Sequence, residues 1–480
     1  MIFSSTIFLF IFLPMNLLLY YIIPKKFLAA RNLLLLCTSL IFYSWGEPVV
    51  VLIMVLSIAV NYAFGLLFGL WDEEKSKKNL VLIFAVAFNV ILLGYFKYFN
   101  FFVDNINFVF GMDFTSKVAL PIGISFYTFQ IMSYIFDIYF GNVKPQKNIF
   151  NLALYIAFFP QLIAGPIVRY IDIEAQLQDR TESLEKMASG FQRFIIGLSK
   201  KILIANQVSI FADFAFNTTS LTSVMAWVGT ICYALQIYFD FSGYSDMAIG
   251  LARMFGFEFL ENFKYPYISN TIQNFWRRWH ISLSSWFRDY LYIPLGGNRK
   301  GNLRTYLNLL IVFAVTGLWH GASWSFVVWG LYHGAFLMLE RGAWGRILKK
   351  LPSALTWVYT MVVVLIGWVL FRADDLGKAI EYIKNMFNFT TGGLAITLAN
   401  LNIVSLVALI CGIIFSAPVL PYVKKKIFGD ENQNHLTCEN PTMSRQIASY
   451  ISIVGSLCML IVSIIFLTGS DFNPFLYFRF

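Results

Sequence analysis

Histidine, cysteine and charge are all scarce in this chain of 480 residues: it has four histidines and five cysteines, and charged residues make up 13%. With so little charge, 58% hydrophobic residues and a mean hydropathy of +0.66, a soluble globular fold is excluded and an integral membrane protein is implied. The cysteines (Cys37, Cys232, Cys411, Cys438, Cys458) are scattered, with no CxxC and no metal-type spacing. That excludes a disulfide framework and a thiolate metal site, and leaves packing as their role. The histidines form no HxxxH, HxxHH or HExxH box, so di-iron and zinc-hydrolase chemistry lack their ligand pattern. Ser323 and Ser325 lie near His320, but no GxSxG elbow accompanies them and no Ser-His-Asp triad is visible.

Long apolar runs are what the chain does have. Stretches of spanning length or close to it occur at Ile7–Ile23, Val49–Leu70, Asn79–Tyr95, Ala226–Tyr238, Tyr306–Leu339, Ala354–Leu370, Ile403–Val419 and Ile447–Leu467. Shorter ones lie at Leu33–Trp45 and Leu152–Ile163. Backbone polar groups in lipid must be satisfied within the segment, and short blocks of strand-like alternation are absent. The expectation is an all-α, polytopic integral membrane protein with about ten or more membrane helices plus re-entrant and interfacial ones. Without internal repeats or low-complexity linkers, residues 1–480 read as one membrane domain.

A net charge of +10 suggests nucleic acid less than it suggests basic cytosolic loops. No basic residue precedes the first apolar segment and no small-x-small cleavage site closes it, so it reads as a retained anchor. Lys25, Lys26 and Arg31 follow it, which places the N-terminus outside the cytosol. Trp71–Lys78, of mixed charge, reads as a solvated loop. From Lys264 to Arg304 seven basic residues face one acid, Asp289, and this hairpin is expected in the cytosol. Lys424–Lys426 opens a second cytosolic loop running to about Arg445, and the last span then returns the C-terminus to the outside.

Two stretches carry candidate chemistry. In Asn274–Pro294 the spacing of Phe275, Trp279, Leu283, Trp286, Phe287 and Tyr290 predicts one apolar stripe on a helix lying at the membrane surface. Arg277 and Arg288 fall on the opposite side, toward headgroups or an anionic ligand, with His280 at the stripe's margin. Arg277, Arg278 and Arg288 are candidate donor-binding residues. The alternative is an interfacial anchoring helix with no further role. In Tyr306–Glu340 the pairs Gly317/Gly321 and Gly330/Gly334 permit close helix approach, and His320 lies between the first pair. An ionisable group at that depth is expensive unless it serves a site. His333, thirteen residues on, would lie about 20 Å away along a continuous helix on nearly the opposite face, as a packing residue. His435 reads as solvated. A lone buried base suits acyl transfer from a thioester to a hydroxyl, because the thioester is already activated and only the alcohol needs deprotonation.

Several long motifs resemble the membrane-bound O-acyltransferase family, in its bacterial branch of alginate O-acetylases and peptidoglycan O-acetyltransferases. They are "PIGISFYTFQ" (Pro121–Gln130), "FFPQLIAGPIVR" (Phe158–Arg169), "YFDFSGYSDMAIGLARMFGF" (Tyr238–Phe257), "FWRRWHISLSSWFRDYLYIPLGGNRKG" (Phe275–Gly301), "TGLWHGASW" (Thr316–Trp324), "GWVLFRADDLGKAI" (Gly367–Ile380) and the terminal "NPFLYFRF". The resemblance implies a ring of helices around a thinned centre, with His320 as catalytic base and His280 as the second family histidine. It implies acetyl-CoA or another acyl thioester as cytosolic donor, with no bound cofactor and no metal. The acceptor would be an extracytoplasmic polysaccharide or a partner acetyltransferase protein, at the bacterial cytoplasmic membrane. D-alanyl transfer to teichoic acid from a carrier protein is the runner-up. A transporter of acyl groups or glycans, with the histidines as proton relays, is the rival of another class, although the repeats and paired broken helices typical of transporters are not seen.

Overall fold

A computed structural model describes residues 1–46, 48–115, 117–389, 393–428, 443–469 and 476. The described chain is helical, with no strand among the described residues, as expected where a backbone must satisfy its own hydrogen bonds in lipid. Six helical segments among these residues are long and apolar enough to cross a membrane: Val50–Leu70, Lys75–Phe110, Leu184–Asn217, Ser223–Met254, Ser353–Arg372 and Tyr450–Thr468. Gly393–Asn400 and Ile403–Phe415 form a further pair, bent by 103°.

Ser223–Met254 is the central helix. Protein covers 78% of its apolar window, against 11% for Tyr450–Thr468, which presents almost its whole surface outward. Small residues make the central crossing possible. A Cβ at Gly190 would stand 2.7 Å from Gly250 O, and one at Gly243 would stand 2.7 Å from Gly197 O. The Leu184–Ser199 helix therefore packs backbone to backbone on Ser223–Met254.

Two long helical segments contain a π-helical turn carrying a buried lysine: Gly94–Tyr98 with Lys97, and Lys200–Ala205 with Lys201. The wider turn interrupts the regular hydrogen-bond ladder, and such turns concentrate at functional sites. Lys201 Nζ lies 2.8 Å from Asp240 Oδ1 on the central helix, both side chains being 3% exposed. Neither ion is tolerable in an apolar interior without the other.

Two expectations need correction. Tyr306–Leu339 is not one continuous helix: Gly301–His320 ends at His320, and Trp324–Arg341 folds back along it. Gly317 and Gly330 meet across this hairpin, where a Cβ on either would approach the other's Cα to 3.4 Å and 3.3 Å. The apolar run is long enough to span, but Gly321 takes an extended conformation and Ser323 starts a new helix, so the chain reverses. Asn274–Pro294 is likewise not a single surface helix. Ile272–Trp276 stops, His280 adopts a left-handed conformation (φ 44°), Ile281–Phe287 follows, and Arg288–Tyr292 is a π-turn. The aromatic stripe exists but faces protein: Trp286 stacks on Phe129 at 3.9 Å and donates from Nε1 to Phe129 O at 2.9 Å.

Packing accounts for only part of the cysteine set, since Cys232 is buried while Cys37 and Cys458 are exposed. His435 and Cys438 lie outside the described residues, as do most of the polar loop after Lys426 and all of the terminal motif but Leu476.

Candidate active site

His320 owes its place to the hairpin. As the last residue of Gly301–His320 it sits at the tip, 6% exposed, between Trp329 and Phe371, whose ring centroids each lie 5.2 Å from its own. Its Nδ1 is buried and has no hydrogen-bond partner among the described residues. It forms part of the wall of two cavities. The larger, about 90 Å³, lies between Lys97, Pro121, Ser125, Phe126, Trp319 and His320. The smaller, about 10 Å³, lies between His320, Asp240, Trp279, Trp329, Trp368 and Leu476 and has room for about one water.

Lys97 holds that helix end. Its Nζ donates to Trp319 O (2.5 Å), Ser125 Oγ (3.1 Å) and His320 O (3.3 Å). Tyr98 Oη donates to Leu318 O at 2.7 Å. Three consecutive carbonyls at a helix C-terminus, which carries partial negative charge, are thus taken up by one π-turn. Sequence reasoning passed over Lys97, although a lone lysine within an apolar spanning run was itself the signal. Asp240 was passed over as well. It meets Lys201, accepts from Leu476 N at 3.0 Å through Oδ2, and lines the smaller cavity.

His280 is fully enclosed, 1% exposed, near Trp319, whose ring centroid lies 6.2 Å from its own. Nδ1 lies 3.2 Å from Asn262 Oδ1, and Nε2 is buried without a partner among the described residues. Both candidate histidines therefore lie near one indole, and His280 lines neither cavity.

His333 is nearer to His320 than a continuous helix would allow. Its ring lies 5.2 Å from Trp329, the same ring His320 meets at 5.2 Å. It packs on Gly367, where a Cβ would stand 2.6 Å from Nε2, and it lines neither cavity.

The arginines stand apart from the histidines. Arg277 is exposed at the break before His280; Arg278 donates to Asn274 Oδ1 (3.1 Å) and Lys264 O (3.0 Å). Arg288 is exposed and paired with Asp289 (2.7 Å), which also binds Arg169 (2.7 Å). None of the three reaches His320's cavities. Among the described residues no group of three or more His, Cys, Asp or Glu is placed to hold a metal ion.

A buried imidazole between two cavities, with a nitrogen that has no partner among the described residues and a backbone held by a lysine, can take a proton from a hydroxyl brought to it. Residues 142–373 match the model of the membrane-bound O-acyltransferase family. Over the whole of both chains, this one is 40% identical to "Probable alginate O-acetylase" of Azotobacter vinelandii. It is 35% identical to the peptidoglycan O-acetyltransferase of Helicobacter pylori, over all of this chain and 98% of that one. The teichoic acid D-alanyltransferase of Bacillus subtilis is more distant, 29% identical over 51% of this chain and 65% of that one. With the matched segment running through both histidines and their shared indole, the chain belongs to the membrane-bound O-acyltransferase family.

Proposed function

We propose that this protein is a polysaccharide O-acetyltransferase of the bacterial cytoplasmic membrane, with His320 as its general base. The observation that carries the reading is that His320, whose Nδ1 has no partner among the described residues, belongs to the walls of both cavities. An acetyl thioester, acetyl-CoA or a related donor, meets a sugar hydroxyl beside His320. The hydroxyl oxygen forms the new bond to the acetyl carbon while its proton passes to His320. The C–S bond breaks, and the proton goes on to the departing thiolate. The acceptor is an extracytoplasmic polymer such as alginate or peptidoglycan, the substrates in the names of the more similar relatives, or a partner protein that carries the acetyl group onward.

The orientation follows from charge. With the basic residues after the first apolar segment in the cytosol, the N-terminus lies outside, about ten or more helices enter the membrane on this reading, and the C-terminus is also outside. Arg31 pairs with Glu182, while Tyr43 Oη donates to Ile122 O, so Leu28–Ser44 runs from the basic loop to the Ile122 loop. That loop lines the larger cavity, which this reading assigns to the acceptor. The basic rim of Arg277, Arg278 and Arg288 faces the cytosol and docks the anionic donor. All 480 residues act as one membrane domain.

D-alanyl transfer is the second reading, favoured by the more distant relative. Purified protein given acetyl-CoA and an acetylatable glycan decides: ester formation that needs His320 supports the proposal, and transport of substrate without acylation removes it.

A further inference from the structure

The segment around Asn262 is tied to the His280 break by more bonds than holding a turn requires. Asn262 O accepts from Ile281 N at 2.9 Å, and Lys264 N donates to Arg278 O at 3.0 Å. Asn262 Oδ1 is within reach of two donors, Ser282 N (3.2 Å) and Ser282 Oγ (3.0 Å), and of His280 Nδ1 (3.2 Å), which also lies 3.4 Å from Ser282 Oγ. The Asn262 amide nitrogen points away and donates to Ser245 Oγ at 3.1 Å on the central helix. The side chain is 1% exposed.

These contacts fix protons as well as positions. Ser282 N can only donate, so the atom beside it is the amide oxygen, which in turn can only accept. His280 Nδ1 lies closer to that oxygen (3.2 Å) than to Ser282 Oγ (3.4 Å), which favours the ring proton on Nδ1, since two acceptors would repel. A neutral imidazole protonated at Nδ1 leaves the lone pair on Nε2, the buried atom with no partner among the described residues. The same contacts hold His280 in a left-handed conformation (φ 44°), a region unfavourable for any side chain with a Cβ and one that persists only where the surroundings impose it.

We infer that Asn262 is a positioning residue for acyl transfer: it holds His280 in its left-handed turn and in the Nδ1–H tautomer, so that the Nε2 lone pair stays free on the ring beside Trp319. The inference rests on the acyl-transfer reading for its consequence, but its structural content is independent of that reading. Without the clamp the ring has no reason to keep its proton on Nδ1, and the strained turn loses its support.

With only four histidines, nitrogen-15 labelling of histidine resolves the question in detergent-solubilised full-length protein. Long-range proton–nitrogen correlation spectra, with His280 assigned through His280→Gln, should show a protonated Nδ1 and an unprotonated Nε2. Asn262→Ala should mix the tautomers and lower kcat for acetyl-CoA-dependent glycan acetylation by about tenfold to a hundredfold at nearly unchanged KM. Asn262→Asp keeps an acceptor at Nδ1 and should retain the tautomer and recover most of the rate. A wild-type spectrum with the proton on Nε2 overturns the inference even if Asn262→Ala does not fold. Unchanged kcat in Asn262→Ala with an altered tautomer overturns the positioning role. If wild type shows the tautomer but no ester formation, it is the acyl-transfer reading that fails.

Discussion

His320 and His333 meet the same ring, Trp329, at the same 5.2 Å, and both are buried, yet their surroundings differ in what they permit. His333 sits in mid-helix, with Gly367 beneath its ring, and lines neither of the cavities beside His320. His320 ends its helix, where the chain has just turned, so cavities open on its flanks and Lys97 takes up its carbonyl. A buried imidazole is a candidate base only where a second molecule can reach it. Depth and aromatic company are shared by both and distinguish neither.

The comparison breaks most decisively at His320 itself. His320→Ala should lower polymer O-acetylation by about 10²–10⁴, the usual loss for a general base, with the protein still present in the membrane. O-acetyl content in cells making matched amounts of each variant is the measurement, and near-normal acetylation would refute the assignment.

Lys97→Met asks whether the lysine matters for where it holds His320. The methionine keeps most of the length and removes every donor to Trp319 O, Ser125 Oγ and His320 O. A loss of roughly tenfold to a hundredfold in kcat is expected, as for a misplaced reacting group, with donor KM little changed. A purely stabilising lysine would instead lower the amount of folded protein and leave kcat per folded molecule intact.

Charge reversal at Arg277 and Arg278 replaces neither histidine and probes the rim. Donor KM should rise severalfold and its dependence on salt should weaken, since a screened attraction has been removed. Equal effects on kcat and no change in salt response would argue against donor docking.

His333→Ala should have the smallest effect on rate, within a few-fold of wild type per folded molecule. Its cost falls on stability, because the vacated space among Trp276, Trp329 and Gly367 is apolar and enclosed. Thermal unfolding of purified protein reads that loss. A rate collapse comparable to His320→Ala would dissolve the distinction drawn between the two.

Much of this was legible from residues alone because it depends on composition and short-range pattern. Hydropathy called for helices in a membrane; Val49–Leu70 and Asn79–Tyr95 fall on helices, and the aromatic stripe from Phe275 to Tyr290 is buried throughout. The scarcity of histidine drew attention to His320 and His280, and the glycines announced close packing around the first of them. Periodicity misjudged their partners, however. Gly317 and Gly330 serve one hairpin, where the sequence pairs each with a glycine on its own helix.

What sequence by itself determined, then, is the class of the protein, the motifs of its family and the residues able to do chemistry, because burial and side-chain chemistry are properties of single positions. Only the tertiary structure decided where the apolar run reverses at Gly321, and which sides of His320 stay open. It also brought Lys97 to a carbonyl 223 positions along the chain and Asn262 to the ring of His280. An apolar helix and an apolar hairpin satisfy the same local pattern, so the choice between them rests on what packs against them.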